Sequence, residues 1–105
     1  MDKPSLIYIN KLSNGDEAFF KRLINVINIE FPQEKELYYY NINTNKYDIA
    51  ADSVHKLKHK ISILSFETGY QIASQHEDNL RAGNNTLAEE FDRVLILITK
   101  FLISL

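Results

Sequence analysis

Two histidines and a lysine on adjoining turns of one helical pattern are the residues of this chain best suited to chemistry. They lie in Ser53-Val54-His55-Lys56-Leu57-Lys58-His59. Apolar residues recur around them at Tyr47, Ala50, Val54, Leu57, Ile61 and Leu64, in steps of 3, 4, 3, 4 and 3. Such stepping is the seam of a helix packed against other helices. His55 falls one residue past a seam position, so its imidazole projects beside the core on the solvated side. Lys58 follows at i+3, a neighbour on the helix surface. Asp52 and His59 share the same polar strip, and Ala51 leaves space beside it. A solvated imidazole is neutral and nucleophilic near pH 7, since the ordinary pKa of the group is about 6.5. With a cation in reach it can carry a phosphoryl group, because phosphoryl transfer is mostly positioning plus electrostatic stabilisation of the equatorial oxygens. In that chemistry His55 is the phosphoryl acceptor and Lys58 neutralises phosphate charge. Alone, His55 would read as a surface histidine without a duty; Asp52, Lys58 and His59 around it separate the two readings.

Other constellations carry less. His55 and His59 at i, i+4 could chelate a metal, but zinc needs three or four ligands, and Lys56 stands where a His-Glu-x-x-His site has its glutamate. The lysines at 56, 58 and 60 would repel a dication, so no metal site is expected. Glu77 takes an inward position between Ala73 and Leu80 and reads as a structural hydrogen-bonding residue, because a buried carboxylate needs partners. His76 beside it is expected to be exposed. Tyr38-Tyr39-Tyr40 point three ways from a helix and are expected to pack near its end, while Glu34-Lys35-Glu36 read as a solvated face. No Gly-rich phosphate loop is present, so the chain is not expected to bind ATP or phosphorylate itself.

The elements that position His55 follow from the same periodicity. A short first segment, Leu6 to Leu12, ends at the turn cluster Ser13-Asn14-Gly15. Asn14 with Glu17 resembles an N-cap with its reciprocal acid. Phe20, Leu23, Ile27, Phe31 and Tyr38 then define a long helix to about Tyr40, in which Pro32 is expected to make a kink. Asn41 to Asn45 reads as a loop, with Thr44 or Asn45 capping the His55 helix. Ser65 is expected to cap a fourth helix carrying Phe66, Tyr70, Ala73 and Leu80, closed by Gly83 as a left-handed cap. Thr86 and Glu89 form a capping box for a last helix with the seam Leu87, Phe91, Val94, Ile98, Phe101 and Leu105. The expected fold is all-α: an up-down-up-down four-helix bundle with a short additional N-terminal helix.

Composition narrows the class. At 105 residues the chain is long enough for one domain with a single core. Its 45% hydrophobic and 25% charged residues are the balance of an ordinary soluble protein. The net charge of −2 and the dispersed basic residues exclude a nucleic-acid footprint. There is no cysteine, hence no disulfide framework and no thiolate metal site. Neither a signal peptide nor a membrane-spanning run is apparent, so a cytoplasmic monomer with no membrane partner is expected.

The chain resembles the histidine-containing phosphotransfer (HPt) domains of bacterial multistep phosphorelays. That family carries His-x-Leu-Lys-Gly, then a Leu-Gly pair, on one helix of a four-helix bundle. Here the motif stands as His55-Lys56-Leu57-Lys58-His59, with Leu64-Ser65 at the later pair. Asn14-Gly15-Asp16-Glu17 resembles the opening of the family's long helix, and His76-Glu77 falls where a Leu-Glu pair is usual. The resemblance implies a phosphocarrier, not an enzyme. His55 would accept a phosphoryl group from the aspartate of one response-regulator receiver domain and pass it to another, with a hybrid histidine kinase upstream. The chain would hold no cofactor of its own; Mg2+ would belong to the receiver. Docking would use Ala51, Asp52, His59, Ser62 and Ile63. His59 stands where the family has a glycine, which implies either obstruction tuned to particular partners or a hydrogen bond to the phosphate. Obstruction is the favoured expectation, because Lys58 already supplies a cation. A non-phosphorylated adaptor that binds and regulates a kinase or response regulator is the alternative function.

Overall fold

A computed structural model describes residues 2–105, and these form five α-helices with no strand among them. The turn cluster after the first segment works as two devices. Asn14 (φ 47°) and Gly15 (φ 86°) both adopt the left-handed region and end α1 (Ile7–Ser13). Asn14 is therefore used in closing α1 and does not cap the next helix. The cap of α2 (Glu17–Asn43) is Asp16, whose Oδ1 accepts from the Phe19 amide at 3.0 Å.

The second helix is longer than its apolar stripe suggests. It runs through Pro32 without a break and takes in Asn41, Ile42 and Asn43, which read as loop in the sequence. Asn41 is buried, its amide nitrogen donates to the Leu37 carbonyl at 3.0 Å, and Ile42 packs on the core. Only Thr44-Asn45-Lys46 remain as the connection, turned by Asn45 at φ 59°. Lys46, with no side-chain bond, stands at the N-cap of α3 (Tyr47–Ile63). Neither Thr44 nor Asn45 caps it; the Thr44 hydroxyl donates back to the Tyr40 carbonyl at 2.8 Å.

Two further caps differ from expectation for related reasons. Ser65 adopts φ 56° and turns the chain between α3 and α4 (Glu67–Arg81); its Oγ accepts from the Tyr8 amide at 3.2 Å instead of capping α4. The Thr86–Glu89 box does not form, since α5 (Ala88–Ser104) begins after Leu87 and the Thr86 amide donates to Asn84 Oδ1. Gly83 meets its expected role. At φ 79° its amide donates to Leu80 and that of Asn84 to Asn79, which is a Schellman closure.

The middle of each seam is buried: Ala50, Val54, Leu57, Ile61 and Leu64 on α3 and its end are inaccessible, as are Ala73, Leu80, Phe91 and Ile98. Tyr47, Leu87 and Phe101 are partly covered, and Leu105, beyond the last packed turn, is exposed. α3 packs against both α2 and α4, α4 against α5, and α1 against α2. Side chains bring α5 back to α2: Lys35 donates to Thr99 at 2.9 Å, Tyr39 to Asp92, and Tyr38 meets Phe91 edge-on at 5.1 Å. At 1.5 Å per residue, the 27 residues of α2 span about 40 Å, nearly the 44 Å length of the molecule. The N-terminal stretch is stitched to the α3–α4 junction by Ser5 N to Leu64 O at 2.7 Å and by the Thr68 amide to Asp2. No helix among the described residues is long and apolar enough to cross a membrane.

Candidate functional site

The middle of α3 displays His55, and α4 supplies the group that holds it. Its imidazole is half exposed, and Nδ1 lies 3.2 Å and 3.3 Å from the two carboxylate oxygens of Glu77. An ionised carboxylate only accepts hydrogen bonds. In the neutral ring the proton therefore sits on Nδ1 and the lone pair on Nε2, which makes no hydrogen bond among the described residues. The sequence pattern places His55 beside the core, and the structure puts it there.

Glu77 is the hub of the site. Lys58 Nζ lies 3.0 Å from Oε1, and Arg81 Nη2 lies 3.2 Å from Oε2 and an equal 3.2 Å from Asp52 Oδ1. Burial pushes the Glu77 carboxyl up, but hydrogen bonds from Lys58, Arg81 and His55 outweigh it and hold the net shift downward. It therefore stays ionised near neutral pH. Its expected inward position and hydrogen-bonding role hold, and its position on the imidazole adds a duty that the sequence pattern does not give it. Arg81 is likewise absent from the sequence-based site, although Glu77 and Arg81 at i, i+4 carry the signal of a helix-surface ion pair.

The remaining site residues divide. Asp52 is exposed and tied to Arg81; His59 and Ser62 are exposed. His59 sets its ring edge-on to His55, with centroids 4.9 Å apart and planes at 64°. Ala51 is fully buried and offers a partner no side-chain surface, because it faces the interior of the α3 packing. Ile63 is half-buried against the core and not a freely exposed side chain. Lys58 is mostly covered, with 16% of its side chain exposed, and lies over the Tyr70 ring at 5.7 Å. Its charge is already engaged by Glu77.

His76 corrects another expectation. It is inaccessible, with Nε2 2.8 Å from the Tyr38 hydroxyl and its ring against Phe91. Burial drops its pKa to about 4, so it is neutral in the folded protein at pH 7. Its Nδ1 has no partner among the described residues. Nor is Glu34-Lys35-Glu36 simply solvated: Glu34 pairs with Lys60 at 3.2 Å and Lys35 with Thr99. No cluster of three or more potential metal ligands occurs among the described residues.

Set against protein-family models, curated proteins and solved structures, the chain matches none of them.

Proposed function

We propose that this protein is a histidine phosphotransfer domain in a phosphorelay, with His55 as the residue that takes and returns the phosphoryl group. The carrying observation is the pairing of a half-exposed imidazole with a carboxylate at Nδ1, which leaves the Nε2 lone pair without a hydrogen-bond partner among the described residues. The fold supports it: the contacts α2–α3, α3–α4, α4–α5 and the side-chain return from α5 to α2 fit an up-down-up-down four-helix bundle with α1 added. The partners are response-regulator receiver domains and a hybrid histidine kinase, met by a cytoplasmic monomer in small, transient encounters.

In the transfer, Nε2 attacks phosphorus in line while the acyl P–O bond to the receiver aspartate breaks, its electron pair leaving on the carboxylate. The ring proton stays on Nδ1 against Glu77. Mg2+ and most of the transfer chemistry belong to the receiver. Asp52, Ser62 and His59 form the exposed polar part of the docking face.

The test is incubation of the purified chain with a phosphorylated receiver and Mg2+. The expected result is an acid-labile, base-stable phosphate on the parent and none on His55→Gln, whose folding should change by no more than about 0.5 kcal/mol. A parent that binds the receiver yet gains no phosphate would leave the adaptor reading in its place.

A further inference from the structure

Charge balance around His55 points to a role for its neighbour on the next turn. Lys58 and Arg81 face Glu77 and Asp52, two cations against two anions, so the site is neutral before any phosphate arrives. On the phosphocarrier reading, transfer adds a phosphoryl group of about −2 to a ring that becomes cationic by keeping its Nδ1 proton. The site is then one negative charge in excess. Lys58 is already engaged with Glu77, so its share in offsetting that charge is partial.

The group placed to do so is His59. Its ring centroid is 4.9 Å from that of His55, edge-on, and it makes no hydrogen bond or ion pair among the described residues. Lys56 is also unpaired there, but it follows His55 by a single residue, about 100° around the helix. We propose, on the reading that His55 carries phosphate, that His59 takes up one proton when His55 is phosphorylated and donates a hydrogen bond to a phosphoryl oxygen. Phosphorylation and protonation then reinforce one another, since linkage between two bound groups is reciprocal. Relative to a chain that lacks His59, the phosphorylated form gains as pH falls from about 8 to about 6, the range in which imidazoles titrate. The His55 ring and the phosphoryl group also titrate near that range but are common to both chains. The other groups on this strip are Asp52 and Lys58 from α3 and Glu77, Arg81 and Tyr70 from α4, with Lys56 exposed about 100° around α3. Carboxylates, amines, guanidinium and phenol groups ordinarily keep one charge state across that range.

The experiment uses phosphoramidate as donor, so that no receiver contributes its own pH dependence. The His59 ring is titrated by NMR with and without phosphate on His55, in the parent and in Lys56→Ala. Its titration should move upward by about one pH unit on phosphorylation in both. The phosphorylation equilibrium of the parent should exceed that of His59→Gln about tenfold at pH 6 and match it at pH 8.5, as one unit of displacement implies. A phosphorylated chain whose His59 titrates as before would overturn the proposal and leave the phosphocarrier reading standing. A chain that takes phosphate at His55 from neither phosphoramidate nor a phosphorylated receiver removes that reading, and this inference with it.

Discussion

His55 and Glu77 meet across two helices, with the imidazole Nδ1 3.2 Å from a carboxylate oxygen that also receives Arg81. The contact orients a ring that would otherwise rotate freely at the surface, and it selects the tautomer.

Glu77→Gln should therefore slow phosphate acceptance by at least about tenfold while leaving His55 exposed. A neutral amide accepts less strongly and lets the Nε2–H tautomer form. The His55 ring nitrogen shifts in an NMR spectrum would show the change of tautomer directly. Unchanged shifts with an unchanged rate would remove Glu77 from the site.

Lys58→Ala is expected to slow transfer about twofold to fivefold without preventing it, and to shorten the life of phospho-His55. One partly exposed ion pair is a modest effect, and salt should reduce it further. Rates measured at low and moderate salt decide this; equality with the parent in both would leave Lys58 with no part in the chemistry.

Stability should fall as the solution is acidified, with His76 as one identifiable cause. Its folded pKa, about 4, lies below the ordinary imidazole value, so the unfolded chain binds the proton more tightly. The associated stability is complete above about pH 6.5 and is lost as pH drops toward 4, up to about 3 kcal/mol. His76→Gln removes the titration and keeps a partner for Tyr38. Denaturant melts between pH 7 and 4 should show a shallower decline in that variant.

Gly69→Ala should destabilise the fold by about 1 kcal/mol, against the helix preference for alanine. An added Cβ would stand 2.6 Å from the ring of Phe66, which is itself buried. Crowding of a packed core costs about 1–3 kcal/mol and propensity returns about 1. A variant more stable than the parent would mean that the Phe66 ring swings aside without loss.

The apolar seams are legible in the sequence because steps of 3 and 4 leave few choices along α3 and α5. The residues they pick out are buried through the middle of each helix, though not at the ends, where Tyr47, Leu87 and Phe101 are partly covered and Leu105 is exposed. Helix ends are less so. Asn14 and Asp16 are both good capping residues, and the choice falls to the left-handed turn at Asn14, a conformational fact that side-chain type does not announce. Between Ala73 and Leu80 the stepping is itself ambiguous: His76 satisfies 3 then 4, and Glu77 satisfies 4 then 3. Both turn inward, His76 to Tyr38 and Glu77 to the α3 face. Periodicity within one helix does not fix the register between two, so the meeting of His55 with Glu77 and of Asp52 with Arg81 emerges only from α3 packed on α4.

His55 stands at the midpoint of α3, eight residues from Tyr47 and eight from Ile63. Fraying reaches only the first and last turns of a helix, and segments flanked by buried seams open mainly when the whole molecule does. The amides of Val54 to His59 should accordingly be among the slowest to exchange with deuterium. Whatever docks there meets a stiff platform whose shape is settled before the encounter, so any adjustment on contact falls to side-chain tips and to the visitor.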